Sequence, residues 1–116
     1  MDKDILKKKS FAFAIRIVRL YQFLIEKKKE YVLAKQILRS GTSIGANVQE
    51  AHGGISKADF SAKISIAYKE SKETQYWIQL LHETDYIDTK LFDSLLEDCE
   101  ELSKMLFSIL KTTRIK

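Results

Sequence analysis

No proline occurs anywhere in the 116 residues, and glycine occurs only four times. Sandwiches and barrels consume turn-forming residues every few positions, so a chain this poor in them is pushed toward a few long helices. Apolar spacing agrees. Leu6, Ser10, Phe13, Ile17, Leu20 and Leu24 alternate steps of four and three, a helical seam. Phe11, Ala14, Val18, Tyr21 and Ile25 form a second seam beside it. Further seams run through Ala34, Ile37, Gly41, Ile44, Val48 and Ala51; through Phe60, Ile64, Ala67, Ser71, Thr74, Ile78 and Leu81; and through Phe92, Leu95, Cys99, Leu102, Leu106 and Ile109. The expectation is one all-α domain, residues 1–116, with helices over roughly 4–28, 32–52, 57–83 and 89–112. Three short connections between long helices favour an antiparallel up-down-up-down four-helix bundle.

The breaks have physical signals of unequal strength. Gly53-Gly54 can end the second helix in left-handed geometry without a Cβ penalty. Ser56 is placed as N-cap of the third helix, and Asp88 of the fourth, with Ile55/Phe60 and Ile87/Phe92 at the positions of hydrophobic staples. The first break rests only on Glu26-Lys27-Lys28-Lys29-Glu30, and a continuous helix through it is the alternative.

Composition narrows the function. With 45% hydrophobic and 31% charged residues the chain has a globular profile. A lone cysteine, Cys99, excludes an internal disulfide and any multi-cysteine metal framework. No apolar run approaches the roughly 18–20 residues of a membrane span, and Met1-Asp2-Lys3-Asp4 lacks the cationic head of a signal peptide. The expected location is the cytoplasm, with no membrane partner.

Two helices carry more apolar surface than one bundle needs. The first is apolar around about half its circumference, well beyond the stripe of somewhat over 100° that packs a core, and Ile5 and Phe23 lie outside even that arc. In the third, Ile66, Trp77 and Leu80 fall on a flank away from the seam. Scattered surface hydrophobes are one reading; a second interface, and hence self-association, is the other. In the second helix Gly41 and Gly45 share one face. Each costs about 1 kcal/mol against alanine, a loss that close approach of a neighbouring backbone would offset. The small residues Ala67, Ser71 and Thr74 point to the third helix as that neighbour.

Arg39, Ser40, Asn47 and Glu50 border the second helix's apolar face or lie just beyond it, and Glu70 and Glu73 do so on the third. Bridges across this crossing make a structural polar network; the rival reading, paired acids for general acid–base work, requires a cleft and perturbed pKa values that the sequence does not show. Di-iron bundles use Glu-x-x-His pairs, whereas Gln49-x-x-His52 and Gln79-x-x-His82 offer amides instead. No phosphate-cradling loop or nucleophile motif is present. The expectations are therefore no catalytic residue, no metal, no cofactor and no small-molecule substrate.

The stretch Arg39-Ser40-Gly41-Thr42-Ser43-Ile44-Gly45-Ala46-Asn47-Val48-Gln49-Glu50-Ala51 resembles the signature of the four helix bundle proteins known as 23S rRNA intervening-sequence proteins. The likeness continues through Asp59-Phe60, Lys63, Ile66-Ala67, Lys69-Glu70-Ser71, Glu73-Thr74, Tyr76-Trp77 and Leu80-Leu81, so that it spans roughly residues 10–110. The resemblance implies an antiparallel bundle assembled as a homopentameric ring, in a bacterial family often encoded within insertions in large-subunit ribosomal RNA genes. It also implies kinship with the accessory protein of diversity-generating retroelements, which has a basic surface, binds nucleic acid and partners a reverse transcriptase. Arg39, Ser40, Asn47, Glu50, Glu70 and Glu73 carry over as packing and network residues, not catalytic ones.

Charge is segregated along the chain. Residues 1–58 hold twelve Lys/Arg against five Asp/Glu, while 59–116 hold eight against eleven, with most of the acids crowded into 83–101. Folding up and down gathers Lys3, Lys7, Lys8, Lys9, Lys57, Lys63, Lys111, Arg114 and Lys116 at one end, where repetition around a ring would suit phosphate contact. Salt-dependent binding of structured RNA or DNA with little sequence preference is expected. The alternatives are an ordinary solvated surface, or an oligomeric scaffold that docks another protein.

Overall fold

The computed structural model describes residues 3–114. Four α-helices, α1 (Lys3–Glu26), α2 (Val32–His52), α3 (Lys57–Glu83) and α4 (Thr89–Arg114), account for the architecture, without a strand among the described residues. The expected bounds hold to within two residues. Each helix packs on the next in sequence, and α1 and α4 meet more sparsely to close the circle. Cross-helix partners show the antiparallel sense of every pair. Ser10 and Ile17 of α1 lie against Gly45 and Gly41 of α2, and Arg39 and Glu50 of α2 meet Glu70 and Lys63 of α3. Ser61 and Gln75 of α3 reach Thr113 and Ser103 of α4, and Lys9 and Arg16 reach Glu101 and Asp98. As the number rises on one helix it falls on its partner. The result is a bundle 46 Å long and about 20 Å across.

The first seam of α1 is buried as its spacing predicts: Leu6, Phe13, Ile17, Leu20 and Leu24 are in the core, with Ser10 bonded to its own helix through the Lys7 carbonyl. The seams of α2, α3 and α4 are buried likewise, apart from half-buried Phe60 and Phe92 at the starts of α3 and α4. The second seam of α1 behaves differently: Ala14, Tyr21 and Ile25 are half-buried, but Phe11 and Val18 remain exposed.

Gly41 and Gly45 do mark a tight crossing, but its partner is α1 rather than the expected α3. A Cβ on Gly41 would stand 2.7 Å from Ile17 Cγ1, and one on Gly45 would stand 3.2 Å from the Ser10 carbonyl oxygen. The crossing of α2 with α3 is instead made by the Ser40–Thr74 hydroxyl pair, 2.9 Å apart and fully buried.

Two further expectations at the breaks are corrected. No described glycine adopts a positive φ, and Gly53 ends α2 at φ −93°. The requirement at this turn is room: a Cβ on Gly54 would lie 3.1 Å from the Ala51 carbonyl oxygen and 3.3 Å from Asp59 Cβ. Ser56 and Asp88 are N-caps as expected, accepting from the Asp59 and Leu91 N–H groups. Ile87 is buried beside its cap, but Ile55 is 94% exposed and staples nothing. The first break is real. Lys29 takes the left-handed region (φ 55°), the Glu30 N–H turns back to the Leu24 carbonyl, and the Glu30 carboxylate accepts from the N–H groups of Val32 and Ala34. A glutamate thus caps a helix whose N-cap residue, Tyr31, offers no side-chain bond.

Gly41→Ala should lower stability by about 1–2 kcal/mol, because overpacking against the buried, β-branched Ile17 outweighs the gain of about 1 kcal/mol in helix propensity. Urea unfolding measures this; an unchanged or raised midpoint would mean that Ile17 yields at no cost.

Candidate nucleic-acid interface

The alternating topology brings the start of α1, the α2–α3 turn and the end of α4 to one end of the bundle. The lysines expected there are not one cluster of free cations. Lys9 is paired with Glu101 of α4 at 3.1 Å, and Lys63 with Glu50 of α2 at 2.8 Å. Lys111 extends over the Phe107 ring, its Nζ 6.0 Å from the centroid. Lys7 is half-buried along the α1–α2 groove, beside Gly45 and Gln49. Lys8 and Lys57 are exposed and hold no ion pair among the described residues. Lys3 lies at the start of α1 and Arg114 at the end of α4. Lys116 lies outside the described residues.

Between the α2–α3 turn and the end of α4 is an open hollow of about 750 Å³. Ala51, Phe60 and Ile109 give it apolar walls, and Ser56, Lys57 and Thr112 polar ones. His52 also lines it, with its ring edge-on to Phe60 (centroids 6.3 Å apart, planes at 77°). Its Nδ1 is 2.8 Å from the Val48 carbonyl oxygen, while its Nε2 is buried without a hydrogen-bond partner among the described residues. In the sequence His52 stands out only through the spacing Gln49-x-x-His52, where an amide replaces the carboxylate of a metal pair.

The expected network on the α2–α3 side forms in large part. The Arg39 guanidinium donates to Glu70 at 3.3 Å and also to Glu73, whose carboxylate accepts the Trp77 indole N–H at 2.9 Å. Thr74 passes its single proton to the Glu70 carbonyl, so the buried Ser40 hydroxyl is the donor to Thr74 Oγ1. Asn47 departs from the expectation. Its amide donates to the Ser43 carbonyl and hydroxyl, one turn back in its own helix, and bridges nothing.

A second polar chain escaped the sequence reading. Gln75 donates to Ser103, Ser103 to Ser71, and Ser71 to the Tyr68 carbonyl, with the Cys99 thiol donating to the Ser71 carbonyl at 3.3 Å. Also unforeseen was the pairing of Arg16 with Asp98 at 2.8 Å. The crowding of acids into 83–101 was the available signal for it.

No group of three metal-ligating side chains occurs among the described residues, and no described helix is long and apolar enough to cross a membrane. His82 stacks on Phe92 (4.1 Å, 13°) and meets the Thr89 hydroxyl.

Residues 2–108 match the family model of the 23S rRNA-intervening sequence protein. The chain belongs to that family. A crystal structure of a protein of unknown function from the S23 ribosomal protein family of Bacteroides thetaiotaomicron VPI-5482 is 51% identical, covering 96% of this chain and 99% of that one, with a TM-score of 0.93. No curated protein matches the chain. In this member of the 23S rRNA-intervening sequence proteins, Arg39 joins Glu70 and Glu73 across the exposed side of the α2–α3 crossing, and Ser40 joins Thr74 in its buried interior.

Burial, with a smaller contribution from Glu100, raises the Cys99 thiol from about 9 to about 12. The folded state therefore holds this proton more tightly than the unfolded chain. Its stabilisation is complete below pH 9 and is lost as pH climbs from 9 toward 12. The urea midpoint should fall across that window, with a shallower fall in Cys99→Val. At pH 8 an aromatic disulfide reagent should label the thiol only after denaturation.

Proposed function

We propose that this protein is a cytoplasmic, non-enzymatic, self-associating bundle that binds nucleic acid, structured RNA or DNA, through a basic end and with little sequence preference. The observation that carries the reading is the convergence at one end of half-buried Lys7 with exposed Lys8 and Lys57, which hold no ion pair among the described residues, all drawn from the strongly basic half of the chain. Phosphate contact at such a surface gains from counterion release and is correspondingly salt-dependent. Commitment of Glu70 and Glu73 to Arg39 and Trp77 supports a structural role for these acids over general acid–base chemistry.

Self-association is supported by the outer face of α1, where Phe11 is 68% exposed and Ile15 and Val18 follow one and two turns on. A contiguous exposed apolar stripe of this kind is characteristic of an interface. The family resemblance favours five subunits, and a ring would repeat the basic end around its axis. A second reading, a scaffold that docks another protein, draws on a separate patch on α3, where Ile66 and Tyr76 are exposed and Tyr76 packs edge-on to Trp77 at 5.0 Å.

In anisotropy titrations against labelled structured RNA and duplex DNA, the observed association constant should fall linearly with salt on logarithmic axes. Lys8→Glu combined with Lys57→Glu should weaken binding by more than about tenfold and leave the oligomer intact; Lys9→Ala should matter less, since Glu101 already holds that cation. Equal affinity for wild type and double variant would remove the basic end from consideration. Light scattering provides the companion test. Phe11→Glu with Val18→Glu should reduce the assembly to a 13.5 kDa monomer, and a wild-type chain already of that mass at micromolar concentration would refute self-association.

A further inference from the structure

We propose that Phe107, with Tyr68 beside it and Lys72, Lys104 and Lys111 around the pair, is a platform on which one base of a single-stranded nucleic acid stacks. This rests on the reading that the protein binds nucleic acid, and it names the form of the ligand and the residues that hold it.

The platform lies where α3 and α4 run side by side. Phe107 leaves half of its surface in water, and Tyr68 stands against it with ring centroids 5.8 Å apart and planes at 40°. Each ring carries an ammonium group: Lys72 Nζ is 6.0 Å from the Tyr68 centroid, and Lys111 Nζ is 6.0 Å from that of Phe107. Lys104, Phe107 and Lys111 follow at spacings of three and four, so they share one exposed face of α4. The Ser103–Ser71 hydrogen bond sets the register of the two helices. Lys104 and Lys72, the next residues along, therefore lie at one level, the ring pair at the next, and Lys111 a turn further toward the basic end. None of the three lysines is in an ion pair among the described residues. Acids begin on α4 only at Glu101 and Glu100, a turn before Lys104, and Glu101 is committed to Lys9.

Cations on both sides of an exposed ring define the ligand. A small free anion would engage the lysines and leave Phe107 in water. An apolar helix would cover Phe107 but strip three ammonium groups of their hydration. Flat, uncharged rings strung on a chain of phosphates meet both demands: a base on Phe107, phosphates on the lysines to either side. Entry of the base displaces only weak cation–π contacts, and the flexible lysine stems carry their charges outward to the backbone. Every base has a π-face, so stacking of this kind selects no sequence. A duplex keeps its base faces inside its own stack, so only a single strand can use the platform.

The test titrates three labelled ligands by anisotropy against the full chain: a single strand, the same strand without its bases, and a duplex. Phe107→Leu keeps an apolar side chain against Tyr68 but removes the ring. It should weaken single-strand binding about tenfold, leave the other two ligands unchanged, and be reversed by Phe107→Trp. Lys72→Gln with Lys104→Gln should flatten the single-strand salt slope by about 1.4 on logarithmic axes, the worth of two phosphates. Equal loss on all three ligands, no loss on the single strand, or an unchanged slope would overturn the platform while the basic end stands. So would a loss confined to an acidic peptide containing phenylalanine, which would make this face a protein-docking surface. A wild-type chain that binds duplex but no single strand overturns the platform alone; one that binds neither overturns the basic end as well. Should Phe107→Leu fail to fold, ultraviolet cross-linking of wild type to a strand carrying 5-bromouracil decides. The adduct should map to Phe107 or Tyr68, and an adduct elsewhere would reject the proposal.

Discussion

The position of α1 follows from the approach that Gly41 and Gly45 allow. With no Cβ at these positions, Ile17 and the Ser10 backbone sink onto α2 at distances that even alanine would disturb. A helix drawn this far toward one neighbour cannot engage the other equally. Its contact with α4 is sparse and is strengthened at the surface by ion pairs. The outer arc bearing Phe11, Ile15 and Val18 is left exposed. Two glycines thus account both for the close approach of α1 to α2 and for the exposed apolar arc on the outer side of α1.

Charge segregation is similarly put to use inside the molecule. The basic first half and the acids of 83–101 suggest, in the sequence, a chain with a positive and a negative region. In the fold, part of that contrast is spent on joining α1 to α4: Lys9 and Arg16 face Glu101 and Asp98, and Glu50 takes Lys63 on the opposite side. At the end where the lysines were expected to gather, Lys7, Lys8 and Lys57 stand outside these pairs among the described residues. Such exposed pairs contribute little to stability, on the order of 0–1 kcal/mol each. Their larger effect is on which cations stay available.

The helices were legible because each seam repeats the three-and-four spacing over many turns, and a pattern that long has no strand reading. Arg39 with Glu70 and Glu73 was legible for a related reason, since long side chains on the borders of two facing seams meet across the crossing. The partner of Gly41 and Gly45 was not legible. A helical wheel tells which residues share a face but not which neighbour covers it. The left-handed Lys29 and the capping Glu30 were hidden because neither residue type is the usual choice for its task. Asn47 misled because an amide at a face border can bond one turn back as readily as across. The setting of His52 was not legible from the spacing Gln49-x-x-His52, since its buried Nε2 arises from the α2–α3 turn and the end of α4 meeting around it.

The sequential packing of the helices bears on how the bundle assembles. Nearly all its contacts join neighbours along the chain, so three hairpin closures with short loops build most of the core, a topology associated with rapid folding. The absence of proline removes the slow isomerisation that often limits the final step. Only the α1–α4 seam brings the two ends of the chain together, and it is the sparsest of the four helix contacts. That seam is therefore the natural last contact to form and the first to part, and its ion pairs make the parting responsive to ionic strength.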